Sequence, residues 1–204
     1  MTKKEKDEKE NKEEVFFYPE LPTDPSMRTV SIYGEINEER ASVIVSSLTV
    51  LKEMESPAIS PDKDFKNEPL KIIVSSEGGN VQDMFAIYDC MRYVRQDCEI
   101  QTFGLGKVMS AGILLLSAGT KGKRRVGKHC RMMMHSVQGA HYGSIKELET
   151  DITEVRWYQE QFIEALSHES SLDHRQIKDI FSRKTDTYFD ANQALEWGIV
   201  DEIV

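Results

Sequence analysis

One serine in the sequence lies in a run of small residues that could present it as a nucleophile. Ser110 belongs to the segment Gly104–Gly112, between an apolar strand predicted at Glu99–Phe103 and the apolar stretch Ile113–Leu116. A turn of small residues between a strand and a helix exposes a serine hydroxyl and directs backbone N–H groups of the helix start at the same point. This position of Ser110, in a run of small residues between a strand and a helix, therefore predicts acyl-transfer chemistry.

A histidine and an aspartate further along the chain could complete this chemistry. His135 ends an apolar strand predicted at Arg131–Met134, and Asp186 opens the segment Asp-Thr-Tyr-Phe-Asp-Ala. A serine hydroxyl is a weak nucleophile at neutral pH, so it needs a nearby base and a third group that orients the base. We predict these roles for Ser110, His135 and Asp186. The residues alone leave open a structural serine and a histidine packed in the core.

Two backbone N–H groups are candidates for binding the oxyanion of an acyl-transfer intermediate. The N–H of Ala111 follows the serine directly, and the N–H of Gly79 lies in a Gly-Gly turn after the apolar run Leu70–Val74. Glycine lets a substrate approach the backbone closely, and one oxyanion donor is worth about 100- to 1,000-fold in rate.

The composition excludes several classes of function. The chain has 204 residues, enough for one domain with a sizeable core, and a formal net charge of −9. This charge argues against sequence-independent nucleic-acid binding, and no stretch approaches the roughly 20 apolar residues of a membrane span. The basic cluster Lys121–Arg125 is interpreted as a charged hairpin turn. Cys90, Cys98 and Cys130 lack paired or metal-ligand spacing, which indicates buried or inert thiols in a reducing compartment. We expect a cytoplasmic protein without a cofactor.

The beginning of the chain differs in character from the rest. Residues 1–14 hold no apolar side chain apart from the initial methionine, so we expect disorder, and they lack the apolar core of a signal peptide. The aromatic patch at 15–19 leads into a proline-broken linker, either a strap on the domain or a docking segment. We therefore divide the chain into a tail and strap at 1–27 and one domain at 28–204.

Strands and helices alternate along the domain, which indicates an α/β fold with a largely parallel sheet. A Ser-x-x-Glu capping box at Ser144 and Glu147 begins a long helix with one polar face. The predicted strands cover 28–33, 70–74, 99–103, 131–134 and 199–204, and a polar loop covers 56–69. Helices are predicted to begin after Asn37, Gly79, Ser110 and Ser144. Two further helices are predicted over 173–181 and 191–198.

Five blocks of the sequence, in order, resemble the family of Clp protease proteolytic subunits, which are serine peptidases. Each block alone is a weak match, and their order makes the set specific. The blocks, which together span 28–204, are Ser31–Ile36, Ile73–Gly79 with Ile87–Met91, Gly106–Gly112 with Ser117–Arg124, Arg131–His135, and Asp186–Ala191 with Ala194–Asp201.

The resemblance implies a crotonase-like α/β fold with a protruding handle helix, here the long capped helix. It implies a serine endopeptidase that forms an acyl-enzyme, with Ser110, His135 and Asp186 at the family's triad positions. Gly79 and Ala111 match its oxyanion donors. The implied assembly is a heptamer, or two stacked heptamers, around a closed chamber that admits unfolded polypeptide.

The resemblance also implies where a peptide binds. It would add as a strand beside Gly79–Val81 and the segment after His135, with contacts from Gly78, Val81, Ser136 and Val137. The N-terminal segment with which the family meets its AAA+ unfoldase is not recognisable here, so that partner stays open. A viral member that processes capsid proteins in a host cytoplasm is a further alternative.

Three other functions stay open at this point. A ring subunit without activity would have no chemical need for the complete set Ser110, His135 and Asp186. An acyl-CoA enzyme of crotonase type would need a carboxylate acid–base and an adenine pocket, and the motifs indicate neither. A peptidase with a Ser–Lys dyad would use Lys107, whose spacing to Ser110 gives no reason to replace the histidine.

Overall fold

The computed structural model describes residues 28–54, 68–139 and 142–204, which form seven strands and six helices. The predicted tail and strap, and most of the predicted 56–69 loop, lie outside the described residues. The strands are β1 (Thr29–Ile36), β2 (Leu70–Gly79), β3 (Ile100–Met109), β4 (Arg124–Val126), β5 (Arg131–Met134), β6 (Thr187–Phe189) and β7 (Glu202–Ile203). The helices are α1 (Glu38–Glu53), α2 (Val81–Val94), α3 (Ala111–Ser117), α4 (Ile145–Glu169), α5 (His174–Phe181) and α6 (Ala191–Glu196).

The sheet is mainly parallel, as the alternation of strands and helices predicts. Five strands follow the order β1-β2-β3-β4-β7 with parallel pairing throughout, and β5 pairs in parallel with the end of β3. Only the short β6 is antiparallel to its neighbour, β5. Helices between parallel strands cover the sheet, so the inner strands are apolar: Leu70, Ile72 and Val74 of β2 are fully buried. The predicted α/β class is confirmed.

Two predicted turns are instead parts of strands. Residues 75–79 continue β2, and residues 104–109 continue β3 up to the serine. The β2–β3 register shifts between the pairs Val74–Gly104 and Ser76–Val108, so β3 absorbs its extra residues in a bulge. Small residues favour such irregularities as well as turns, and this is why the turn prediction was wrong.

The predicted hairpin turn at Lys121–Arg125 is wrong in part. Lys123 N–H closes a turn on Thr120 O, but Arg124 and Arg125 begin β4, which is parallel to its neighbours. Arg124 is only 3% exposed, and its guanidinium bonds to Asp201, with an Nη2–Oδ1 distance of 2.5 Å. Strands of three residues, such as β4 and β6, are too short to give a periodic signal.

The predicted helices and thiols mostly agree with the structure. Asn37 caps α1, and the predicted capping box begins α4. The helix predicted over 191–198 ends at Glu196 in the structure, and the strand predicted over 199–204 is shorter and covers only Glu202–Ile203. Cys98 and Cys130 are buried and Cys90 is half-buried, all as free thiols, and burial raises the pKa of Cys130 to about 11.

The helix α4 stands partly clear of the domain. Its five buried residues all lie in its second half, from Phe162 on. In its first half Ile145 and Ile152 are 78% and 49% exposed. This agrees with the predicted handle. Among the residues that the structure describes, no helix has both the length and the apolar character to cross a membrane.

Candidate active site

Ser110 occupies the turn between β3 and α3 with a strained backbone. Its φ of 53° is the single positive value outside glycine among the described residues. Such a conformation costs of order 1–3 kcal/mol and is typical of sharp turns that expose a reactive side chain. The Ser110 N–H donates to Met133 O at 2.8 Å, which fastens the turn to β5. The serine therefore lies in a turn between a strand and a helix. This turn is shorter than the predicted run Gly104–Gly112, because β3 continues to Met109 and α3 begins at Ala111.

The predicted base is positioned by the neighbouring strand. His135 directly follows β5, whose residues Arg131–Met133 pair with Lys107–Met109 of β3. Its Nε2 lies 2.8 Å from Ser110 Oγ, and the side chain is half-buried. This is the distance that a general base needs to accept the hydroxyl proton.

The predicted third member, Asp186, is close in the sheet but not bonded to the base. Met134 pairs with Thr187 at the end of the antiparallel β5–β6 ladder. His135 directly follows Met134, and Asp186 directly precedes Thr187. The buried His135 Nδ1 has no hydrogen-bond partner among the described residues, and Asp186 is exposed. The structure thus joins the serine and the histidine, whereas no described residue bonds to the other ring nitrogen of the histidine.

The Gly-Gly pair at the end of β2 packs against the serine turn. A Cβ on Gly78 would lie 2.7 Å from Ser110 Cβ and 3.2 Å from Ala111 N, so only glycine fits. The Gly78 N–H donates to Ser76 Oγ at 2.9 Å, a bond that the sequence did not predict. Ala111 is the first residue of α3, where a helix N–H has no partner inside the helix. Gly79 and Ala111 therefore remain the candidate oxyanion donors.

A cavity of about 340 Å³ opens beside the serine and histidine, with a size and mixed lining typical of ligand sites. It brings together the predicted site residues Ser110, His135, Gly79, Ala111, Val81 and Val137. Gly78 is buried against the serine, and Ser136 is half-buried in the segment after the histidine. The remaining lining was not predicted and consists of Glu77, Asn80, Met84, Gln138, Phe162 and Phe181.

A larger cavity, of about 530 Å³, lies between α2 and α4 and is lined by aromatic side chains such as Phe85, Trp157 and Tyr158. Cavity size alone would favour this larger cavity as the active site. We take the smaller cavity as the candidate active site, because it contains the hydrogen-bonded serine and histidine.

One ion pair lies at the edge of the smaller cavity. Lys107 Nζ is 2.8 Å from Glu77 Oε2, and this hydrogen bond lowers the pKa of Glu77. The Lys107 ammonium is thus engaged by a carboxylate, whereas Ser110 bonds to His135, which speaks against a Ser–Lys dyad. Within the described ranges, no group of three or more His, Cys, Asp or Glu side chains could hold a metal ion.

Known proteins resemble this chain over most of its length. The profile of the Clp protease family matches residues 25–204, a range that contains Ser110, His135 and Asp186. A protein named ATP-dependent Clp protease proteolytic subunit 1, from Prochlorococcus marinus (strain MIT 9312), is 32% identical over 177 residues. The similarity covers 87% of this chain and 84% of that relative.

Proposed function

We propose that Ser110, His135 and Asp186 form the catalytic triad of this chain, which belongs to the Clp protease family of serine-type peptidases. The proposed reaction is hydrolysis of peptide bonds in unfolded polypeptides through an acyl-enzyme. The observation that carries this proposal is the 2.8 Å hydrogen bond between Ser110 Oγ and His135 Nε2 in a strained strand-to-helix turn.

The reaction has two halves that use the same groups. Ser110 Oγ attacks the carbonyl carbon while His135 Nε2 accepts the hydroxyl proton. The C–N bond then breaks, His135 gives the proton to the leaving amine, and an ester remains on the serine. Water attacks this ester with the histidine as base and releases the new carboxyl end. The N–H groups of Gly79 and Ala111 stabilise the oxyanion in both halves.

Asp186 is assigned the role of orienting the base. In a serine triad the aspartate accepts a hydrogen bond from Nδ1–H and stabilises the imidazolium that forms. His135 Nδ1 is buried without a partner in the part of the chain that the structure describes, and an unpaired buried polar group costs about 1–3 kcal/mol. Closure of the Asp186 carboxylate onto Nδ1 would remove this cost, and both residues adjoin the last pair of the β5–β6 ladder, Met134–Thr187, which supports this role.

The same unpaired nitrogen favours a second candidate function. A ring subunit whose triad aligns only on assembly, or on binding a partner, would have the serine–histidine bond without the aspartate bond in the isolated chain. We assign the assembly as a homo-oligomeric ring, single or double, because the first half of α4 exposes apolar residues. The relative's name describes it as ATP-dependent, which makes an AAA+ unfoldase the proposed partner.

Labelling with a fluorophosphonate probe tests the proposal. The assembled parent protein is compared with Ser110→Ala and with Ser182→Ala, which removes an exposed hydroxyl on another helix end. Loss of labelling in Ser110→Ala alone would support the activated nucleophile, and labelling that persists in Ser110→Ala would overturn it. An assembled ring that never labels would favour the second candidate.

A further inference from the structure

We propose that Glu77 is a specificity-determining residue that selects a basic side chain of the substrate close to the scissile bond. The inference rests on the proposed function, because it requires Ser110 to be the nucleophile. It concerns the one edge of the cavity that carries a formal negative charge.

Glu77 differs from the rest of the cavity lining. Among the described residues that line the cavity, it is the one carboxylate. The lining otherwise consists of backbone, amide side chains, the serine–histidine pair and apolar groups, the last being Val81, Met84, Val137, Phe162 and Phe181 together with Ala111. A single charge in such a lining discriminates between substrate side chains of opposite charge.

Glu77 lies next to the proposed peptide-binding segment. The strand β2 ends at Gly79, where Gly78 and Gly79 have φ values of +97° and +152°, and Val81 begins α2. Glu77 precedes this bend and lines the same cavity as Ser110 and His135. A substrate residue close to the scissile bond therefore passes this carboxylate.

The carboxylate is charged and accessible to a second cation. Its Oε2 is 2.8 Å from Lys107 Nζ, and both side chains are 48% exposed. A carboxylate offers about four lone-pair sites, and an exposed ion pair is weak enough for a substrate lysine to share or displace it. Hydrogen bonds from Lys107 and from its own backbone lower the pKa of Glu77, so it is ionised at neutral pH.

A purely structural role for the pair makes a different prediction. Glu77 lies on β2 and Lys107 on β3, close to the register shift between these strands. If the pair only fastened the bulge, its removal would change the cleavage of every peptide alike. A specificity role changes the ratio between peptides of different charge.

The test uses quenched fluorescent peptides that differ only in one of the two residues on either side of the scissile bond, which is lysine, norleucine or glutamate. With the assembled parent protein we expect kcat/KM to favour lysine over norleucine by about two- to fivefold, the range for an exposed ion pair. Glu77→Gln should abolish this preference and Glu77→Lys should reverse it toward glutamate. Lys107→Met should enlarge it, because the competing cation is removed.

A matched ion pair elsewhere supplies the control. Arg125 Nε and Glu202 Oε2 are also 2.8 Å apart, with side chains 44% and 55% exposed, and Glu202→Gln should leave the lysine preference intact. A preference that persists in Glu77→Gln, or an equal loss on all peptides, would overturn the specificity role alone. Absence of Ser110-dependent cleavage of any peptide by the parent protein would overturn the proposed function and this inference with it.

Discussion

His135 and Asp186 adjoin the last pair of the β5–β6 ladder, Met134–Thr187, and yet the buried Nδ1 of His135 has no hydrogen-bond partner among the described residues. The other ring nitrogen is 2.8 Å from Ser110 Oγ. The serine and the histidine are therefore hydrogen-bonded to each other, although no described residue bonds to the second nitrogen of the histidine ring. This separates the chemistry of the site into two contacts that can be tested independently.

Substitution of Asp186 tests the second contact. We predict that Asp186→Asn lowers kcat for peptide cleavage by roughly 10⁴-fold, because an amide cannot hold the imidazole in the tautomer that leaves Nε2 free as a base. Steady-state cleavage of a fluorogenic peptide measures this loss. Asp179→Asn, which changes an exposed carboxylate on α5, is the control and should keep parental activity. Equal activity of both variants would remove Asp186 from the triad.

Substitution of Gly78 tests the packing under the nucleophile. We predict that Gly78→Ala lowers kcat by at least about 100-fold, because the new Cβ would meet Ser110 Cβ at 2.7 Å and a 1 Å displacement of a reacting group has such a cost. Gly122→Ala is the matched control, since Gly122 has a similar φ of +84° but open space at its Cβ position. Both variants carry the left-handed strain, so their difference in activity reports the clash. Equal activities would show that the Gly78 contact does not position the serine.

The two residues that the structure joins, Ser110 and His135, carry local signals in the sequence. A serine between a strand and an apolar helix, and a histidine at the end of an apolar strand, are features of neighbouring residues, and the structure joins Ser110 to His135. The end of β3 was not predictable in this way. Its bulge exists because β3 pairs with β2, and the shift from Val74–Gly104 to Ser76–Val108 is a property of two strands.

Long-range partners explain the other differences. Arg124 belongs to a charged cluster that the sequence favours as an exposed turn, but it is buried because Asp201, 77 residues later, accepts its hydrogen bonds. The sequence predicts the helices that contain Phe162 and Phe181, yet it does not predict that these rings, with centroids 5.5 Å apart, line the cavity beside the serine. Which helix covers which part of a sheet depends on the whole fold.

The buried Glu169 gives a prediction about acid stability. It is 3% exposed, and its carboxylate accepts hydrogen bonds from Arg95 at 2.7 and 2.9 Å and from the Tyr88 hydroxyl at 3.2 Å. Burial alone would raise the pKa of Glu169, but the hydrogen bonds and charge of Arg95 outweigh burial and lower it. A carboxyl with a lowered folded-state pKa stabilises the fold above its ordinary value of 4.5 and loses this contribution as the pH falls through the folded value.

We therefore predict two effects of Glu169→Gln. At pH 7 the free energy of unfolding should fall by about 3 kcal/mol, since the Arg95 charge loses its partner. Below the ordinary pKa of 4.5 the variant should lose stability less steeply than the parent protein. Urea unfolding followed by circular dichroism over a pH series measures both. Glu164→Gln changes an exposed carboxylate of the same helix and should match the parent, and a parental pH profile in Glu169→Gln would contradict the assignment.

The exposed apolar face of α4 allows a test of the proposed assembly. Ile145 and Ile152 lie seven residues apart on one helix face and are 78% and 49% exposed. If the proposed assembly is a double ring that is joined through this face, we predict that Ile152→Glu halves the particle mass, measured by native mass spectrometry, because a charge would separate the two rings. Thr153→Glu adds the same charge at a position rotated about 100° around the helix and should leave the mass unchanged. Equal masses for the two variants would contradict a handle at this face.

Fluorophosphonate labelling of the same two variants then distinguishes between the two candidate functions. If assembly aligns Asp186 with His135, Ile152→Glu should lose labelling together with half of its mass, while Thr153→Glu keeps both. Labelling that persists in half-mass particles would mean that Asp186 closes onto Nδ1 without the second ring. Since Ile152 lies on the exposed half of α4, outside the buried core that begins at Phe162, a loss of labelling reports assembly rather than unfolding.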